Sequence, residues 1–224
     1  MIEGDGLWQS WTHLTEVVRS GQPIHPHAGH QAAEEFFPTL VRSLHITNRE
    51  PARKLALALE VAVKGPLNVL DVACGSGVWS IAVAEANSQA RVAALDFPKV
   101  LELTQQFAAS HGVGDRFEYL AGDLRSADLG ENRFDLALLG NICHSAGEHA
   151  SRDLLRRLHR ALRAGGWLVI IDTIPDDERS GPVFPLIFAL NMLLNTEEGD
   201  VYTLAEYRQW LSEAGFARAD TTSI

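Results

Sequence analysis

The segment Val69-Leu-Asp-Val-Ala-Cys-Gly-Ser-Gly-Val-Trp-Ser80 joins an apolar run to two glycines one residue apart and then to a helix-forming stretch. Glycine at Gly75 and Gly77 permits positive φ and lets the backbone approach a ligand lying across the carboxyl end of a strand. Such a turn suits a nucleotide-like group. It is not the dinucleotide fingerprint G-x-G-x-x-G, because Ser80 stands at the third glycine position and Asp71 precedes the turn by four residues. A glycine pair alone ends many strands, so the motif gains weight only from the elements around it. A second cluster, His25, His27 and His30, has metal-ligating residue types. His-Pro-His in a loop lacks the fixed helical or paired-cysteine spacing of a zinc site, so no metal is assigned, and substrate contact near an active-site mouth is the other use for these side chains.

The elements that must position the turn are legible as alternating short apolar runs and helical patterns between Leu67 and Asp172, the signature of βαβ units. Strands are predicted at Leu67 to Val72, Arg91 to Asp96, Arg116 to Ala121, Phe134 to Leu139 and Trp167 to Asp172. Their near-continuous hydrophobicity implies a sheet covered on both sides. Helices are predicted at Val78 to Ala86, Pro98 to His111 and His149 to Ala164, the last stopped by Gly165-Gly166 as a C-cap signal. Two helical stretches precede the first strand, around Leu7 to Arg19 and Pro51 to Val63, with the loop Gly21 to Gly29 between them. After the last strand come Pro175 to Pro182, an apolar helix near Val183 to Asn195, an acidic turn Glu197 to Asp200, and a helix at Thr203 to Ala214 closed by Gly215. These last pieces read as additions covering the sheet's ligand edge. The expected fold class is α/β: a Rossmann-like, doubly wound, mostly parallel sheet with helices on both faces.

The totals narrow the function. At 224 residues, with 46% hydrophobic and 21% charged residues, one substantial core is expected in a soluble, folded chain. Nineteen basic against 29 acidic residues give a formal charge of −10. With no basic run, a nucleic-acid partner would be repelled. The two cysteines, Cys74 and Cys143, make no disulfide framework, and Glu3, Asp5, His13 and Glu16 interrupt any signal-peptide core, so a reducing cytoplasm is expected. The longest apolar segment, Val183 to Leu194, is far short of the ~20 residues of a membrane span, so no membrane partner is expected.

The D-x-x-x-G-x-G form resembles that of class I S-adenosylmethionine-dependent methyltransferases, and the resemblance runs on along the chain. Asp96 ends the second strand 19 residues after Gly77, where a carboxylate can accept both ribose hydroxyls in charge-assisted hydrogen bonds. Asp123, in Ala121-Gly-Asp-Leu124, matches that family's acidic residue near the adenine amino group. Asn141-Ile-Cys-His-Ser-Ala-Gly-Glu-His149 resembles the I-C-H-D-W-S-D-E-H stretch of small-molecule O-methyltransferases of the plant caffeate type and the bacterial secondary-metabolite type. Asp96-Phe-Pro-Lys-Val100 is similar to the family's D-L-P-x-V, and Asn191 to Asn195 followed by Thr203 to Gly215 is similar to its closing block. The resemblance implies S-adenosylmethionine as cofactor, held by Asp71, Gly75, Gly77, Asp96, Phe97, Gly122, Asp123, Leu124 and Asn141. It implies His144 as general base, with Asp172 and Asp200 nearest to the two acids that flank that histidine in the family. Asp172 is the better match; the acidic turn at Asp200 could instead be solvated, and Glu197 or Glu198 would serve as well. The implied domains are residues 1–64, a helical segment capping the active site, and 65–224, the cofactor-binding methyltransferase domain.

Departures from the family are specific. Ser145-Ala146 replaces the usual Asp-Trp after the histidine, and Gly140 stands where plant members carry a Lys near the cofactor. The N-terminal dimerisation module would be missing, with only ~65 residues before the first strand, and the chain stops at Ile224 where the family has two more strands. A short relative and a piece of a longer protein both fit. Homodimerisation stays open, since Val183 to Leu194, with Phe184, Phe188 and Met192, could line an acceptor pocket, sit in the core or pack against a second copy.

The implied chemistry is methyl transfer to a hydroxyl of a small phenolic or polyketide-like acceptor. A phenol near pKa ~10 giving its proton to a histidine near ~6.5 is uphill by roughly 3.5 units, about 5 kcal/mol, and a carboxylate beside the imidazolium reduces that. The alternative for His144 is a helix N-terminal histidine satisfied by a backbone carbonyl. Two rival functions remain: C- or N-methylation or a non-methylating reaction on the same fold, and a catalytically silent cofactor-binding subunit.

Overall fold

The computed structural model describes residues 9–24 and 30–223, with the side chains of residues 30–39 left aside. Five strands, β1 Asn68–Val72, β2 Arg91–Asp96, β3 Phe117–Ala121, β4 Phe134–Gly140 and β5 Leu162–Ile171, form one sheet in the order β3-β2-β1-β4-β5. Every neighbouring pair is parallel. From β1 the chain winds outward through β2 and β3, then crosses to β4 and β5 on the other side of β1. This doubly wound order creates a switch point between β1 and β4, where open α/β sheets take their ligands at the carboxyl ends of the strands.

The helices are α1 Leu14–Ser20, α2 His30–Ala58, α3 Val78–Ala86, α4 Pro98–Ser110, α5 Cys143–Ala146, α6 Glu148–Ala161, α7 Val183–Asn195 and α8 Leu204–Ala214. Two compact units interleave along the chain. The sheet unit comprises Glu34–Gly140, Arg157–Ile171 and Asp220–Ile224, and the helical unit comprises Met1–Ala33, Asn141–Arg156 and Asp172–Ala219. In the sheet unit, α3 packs on β1, β2 and β4, and α4 packs on β2 and β3. Val69, Leu70, Ala94, Leu136 and Leu138 lie in the resulting core, which accounts for the unbroken apolar runs. The helical unit has an aromatic core, with the rings of Tyr202, Tyr207 and Trp210 packed edge to face.

Two elements differ from expectation for clear physical reasons. Helix α2 runs through Pro38 and Pro51 rather than starting at the second of them. An interior proline costs about 3 kcal/mol. Val41, His45, Ala52, Leu55 and Ala56 are all buried at helical spacing, and a buried Val or Leu returns roughly 1.5–3 kcal/mol each, so packing outweighs propensity. The second difference is at Gly165-Gly166. Helix α6 has already ended at Ala161, and these glycines lie inside β5. The register steps from Phe134↔Leu162 to Leu136↔Trp167, so β5 bulges against β4, and Gly165 supplies the φ of +80° there. The bulge is pinned by Asp135, which pairs with Arg163 at 2.8 Å and accepts the Asn68 N–H at 2.8 Å.

Both cysteines are buried and free. Among the described residues no helix is long and apolar enough to cross a membrane.

Candidate active site

In the sheet unit the turn after β1 is fixed by its own chain and by three neighbours. Gly75 and Gly77 adopt φ of +56° and +71°, and Ala73 shares the left-handed region at +51°. A Cβ on Gly77 would stand 3.0 Å from the Thr104 methyl group, so no side chain is accommodated there without movement. Thr104 donates to the Gly75 carbonyl at 2.6 Å. Ser76 bonds His45 Nδ1 at 3.0 Å, and His45 stacks on Phe107 with ring centroids 3.8 Å apart. Burial, with help from His111 and Arg49, lowers the His45 pKa to about 4, so this histidine serves the turn as a neutral ring.

Asp96, at the end of β2, is the hinge of this cradle. One carboxylate oxygen accepts the Gly75 N–H at 2.8 Å and the other accepts the Phe97 N–H at 2.7 Å. A carboxylate oxygen has two acceptor sites, so one on each oxygen remains for a pair of hydroxyls. Burial raises the Asp96 pKa to about 6, against the pull of those two N–H groups. Asp71 lies within β1. It is 1% exposed, accepts the Ser80 hydroxyl at 2.5 Å, and is pushed to about pKa 7 chiefly by burial. It supports the turn from below, and Ser80 at the third glycine position is its partner.

The loop after β3 carries the other expected contacts. Gly122 donates to the Asp96 carbonyl at 3.0 Å, and half-buried Asp123 turns its Oδ1 to the Arg125 N–H at 2.8 Å. Arg157 holds the Leu124 carbonyl at 2.6 Å and reaches those of Arg125 and Ala127. Phe97 opens α4 and packs against Val41, Val100 and Leu103. Together, a bend with no Cβ at Gly75 or Gly77 and a carboxylate with an acceptor site to spare on each oxygen fit an adenosyl group. Gly140 has a packing reason for its identity: a Cβ there would lie 2.6 Å from Trp79 Nε1, so the indole takes the room of any side chain.

In the helical unit, His144 and Asp172 meet. His144 Nδ1 lies 2.6 Å from Asp172 Oδ1, and that oxygen also accepts the Thr173 N–H at 2.8 Å. The other oxygen accepts the Tyr207 hydroxyl at 2.8 Å and the His144 N–H at 3.3 Å. The Asp172 side chain is 1% exposed. Four donors surround it, a set that a carboxylate accepts in full. A carboxylate on Nδ1 selects the tautomer in which Nε2 is the basic nitrogen. The Phe188 ring stands edge-on to the imidazole, with centroids 4.8 Å apart, and Phe184 stacks beyond it at 5.8 Å. Asn141 takes a φ of +60°, a left-handed conformation that asparagine tolerates.

Asp200 goes elsewhere. Its carboxylate faces Arg179 Nη1 at 3.5 Å, and Arg179 also binds Glu206 at 3.0 Å. The acidic turn nevertheless packs on the histidine segment through backbone: a Cβ on Gly199 would lie 2.5 Å from the His144 carbonyl. Tyr207 escaped the sequence reading, because only the third dimension brings it to a carboxylate 35 residues away. His25 and His27 lie outside the described residues, as does the side chain of His30. Among the described residues no group of three or more His, Cys, Asp or Glu could hold a metal ion.

Comparison with known proteins agrees with this architecture. A family described as O-methyltransferase domains matches residues 11–217. The chain is 29% identical over 222 residues to the tetracenomycin polyketide synthesis 8-O-methyl transferase of Streptomyces glaucescens, covering 97% of this chain and 64% of that one. It is 30% identical over 220 residues to the 3-hydroxy-5-methyl-1-naphthoate 3-O-methyltransferase of Streptomyces sahachiroi, covering 94% and 61%. The chain thus spans a little over three fifths of the length of these relatives. A solved structure from Nostoc punctiforme, described as a candidate O-methyltransferase, superposes with a TM-score of 0.85 at 31% identity, over 95% of this chain and 63% of that one. The chain belongs to the O-methyltransferase domain family.

Proposed function

We propose that this protein transfers the methyl group of S-adenosylmethionine to a hydroxyl of a small aromatic acceptor, with His144 as general base. The observation that carries the reading is the His144 Nδ1 contact with buried Asp172, which leaves Nε2 basic. The family match and the names of the two Streptomyces relatives support a phenolic or polyketide-like acceptor. The cofactor, when bound, supplies an electrophilic sulfonium methyl group. The protein's part is to hold the ribose on Asp96, to place the acceptor, and to receive its proton at His144 Nε2. Placement contributes several kcal/mol. Asp172 fixes the tautomer and orientation of the imidazole that receives the proton. Phe188, nearly perpendicular to the imidazole, and Phe184 stacked on it offer an aromatic wall for a flat acceptor. Two free, buried thiols suit a reducing compartment, and a cytoplasmic location is part of this reading.

The test is incubation of the full chain with methyl-labelled S-adenosylmethionine and a panel of simple phenols and hydroxynaphthoates. Label recovered as an aryl methyl ether is the expected product. Label on carbon or nitrogen, or tight cofactor binding with no transfer to any acceptor, would overturn the assignment.

Cofactor affinity should also depend on pH through Asp96. Ribose hydroxyls donate to the ionised carboxylate, whereas the free protein holds a proton there below about pH 6. Binding must expel that proton, so affinity measured by calorimetry with S-adenosylhomocysteine should be level above that pH and weaken by up to about tenfold per unit below it. A flat profile down to pH 4.5 would contradict this role for Asp96.

A further inference from the structure

We propose that Tyr207 is a positioning residue for the His144–Asp172 pair, aligning the imidazole through the second oxygen of the shared carboxylate. This rests on His144 being the base. Asp172 Oδ1 faces the imidazole, and among the described residues the only side-chain donor on Oδ2 is the Tyr207 hydroxyl at 2.8 Å, the backbone N–H of His144 being more distant at 3.3 Å. Carboxylate rotation would swing Oδ1 away from Nδ1, and the Tyr207 bond opposes it. The hydroxyl has one proton, and burial pushes its pKa far above the ordinary tyrosine range, so it stays a donor. Burial raises the neighbouring Cys143 thiol to about pKa 12, so it stays uncharged beside the hydroxyl.

The scaffold behind Tyr207 is fixed in the same way. Its ring is buried between Tyr202 and Trp210, at 6.2 and 5.4 Å between centroids. It lies in the first turn of α8, whose start is set by a capping box: Thr203 Oγ1 accepts the Glu206 N–H at 3.2 Å and Glu206 accepts the Thr203 N–H at 2.6 Å. Glu206 is held in turn by Arg179 through both guanidinium-facing oxygens, at 3.0 and 3.1 Å. The start of α8 is therefore an anchored platform, and the Tyr207 hydroxyl is its one polar contact with Asp172.

The experiment compares the full-length wild type with Tyr207→Phe, which keeps the ring and removes the hydroxyl. A short Nδ1–H···Oδ1 bond of 2.6 Å should give the His144 ring proton a resolved low-field NMR resonance, absent in Asp172→Asn. In Tyr207→Phe that resonance should shift upfield or broaden away while the melting curve stays cooperative. With an acceptor found in the panel above, kcat should fall about tenfold with cofactor affinity and KM nearly unchanged, the effect of one hydrogen bond lost from the transition state. An unmoved resonance overturns the positioning role, whatever the activity. If the resonance moves but the wild type methylates nothing, the positioning role stands and the proposed function falls. Should Tyr207→Phe fold poorly, Thr203→Ala, which removes the hydroxyl capping the start of α8, should move the same resonance in the same direction.

Discussion

Replacing His144 with Ala should lower turnover by roughly 10²- to 10⁴-fold, the usual contribution of a positioned general base, while affinity for S-adenosylhomocysteine stays within about twofold. The separation of the two effects follows from the bonding. The turn after β1 is held by Thr104, His45 and Asp96, none of which depends on the imidazole. The variant also removes a donor from a carboxylate that is 1% exposed, which costs about 1–3 kcal/mol of stability, so its melting temperature must be read beside its rate. His144→Asn controls for this: the amide can donate to Asp172 in place of Nδ1 but is not a base. If both variants turn over like the wild type, His144 is a structural ligand of Asp172 and the proton leaves by another route. If Ala is slow and Asn is fast, the role is orientation alone.

What was legible in the sequence follows a physical line. Strands β1, β2 and β4 are covered on both faces, so their continuous apolar runs mark them directly, and the glycine pair with Asp71 and Asp96 places the ligand edge. The bulge in β5 was not legible, because Gly165-Gly166 signals a helix stop and a strand bulge equally well, and only the pairing of Phe134 with Leu162 decides. Helix α2 was hidden by its prolines, since burial of Val41, Leu55 and Ala56 is a tertiary fact. Of the two acids matched to the histidine, Asp172 meets it because a residue just past β5 has a fixed station, whereas Asp200 sits in an exposed turn within reach of Arg179. Tyr207 has no motif of its own. The capping box at Thr203 and Glu206 gives the helix start and hence the residue's face, but its partner depends on the packing of the helical unit.

The other large effect belongs to Asp96. Substitution by Ala removes the acceptor proposed for both ribose hydroxyls, and hydrogen bonds to a charged group contribute about 1.5–3 kcal/mol each. Two of them correspond to roughly a 10²- to 10⁴-fold loss in affinity for S-adenosylhomocysteine. The same change leaves the Gly75 and Phe97 N–H groups without their acceptor, so the bend after β1 loosens and the loss should lie toward the upper end. Asp96→Asn separates these contributions. One oxygen remains for one backbone N–H, while the amide nitrogen faces the other N–H as a second donor and the charge is gone. Asn should therefore bind weakly, yet with an affinity that no longer changes near pH 6, because the group that burial holds at that value has been removed. An Asn variant that is weak but keeps the wild-type inflection would assign the titration to Asp71, whose pKa of about 7 lies close by. An Ala variant that binds like the wild type would place the adenosyl group somewhere other than the end of β2.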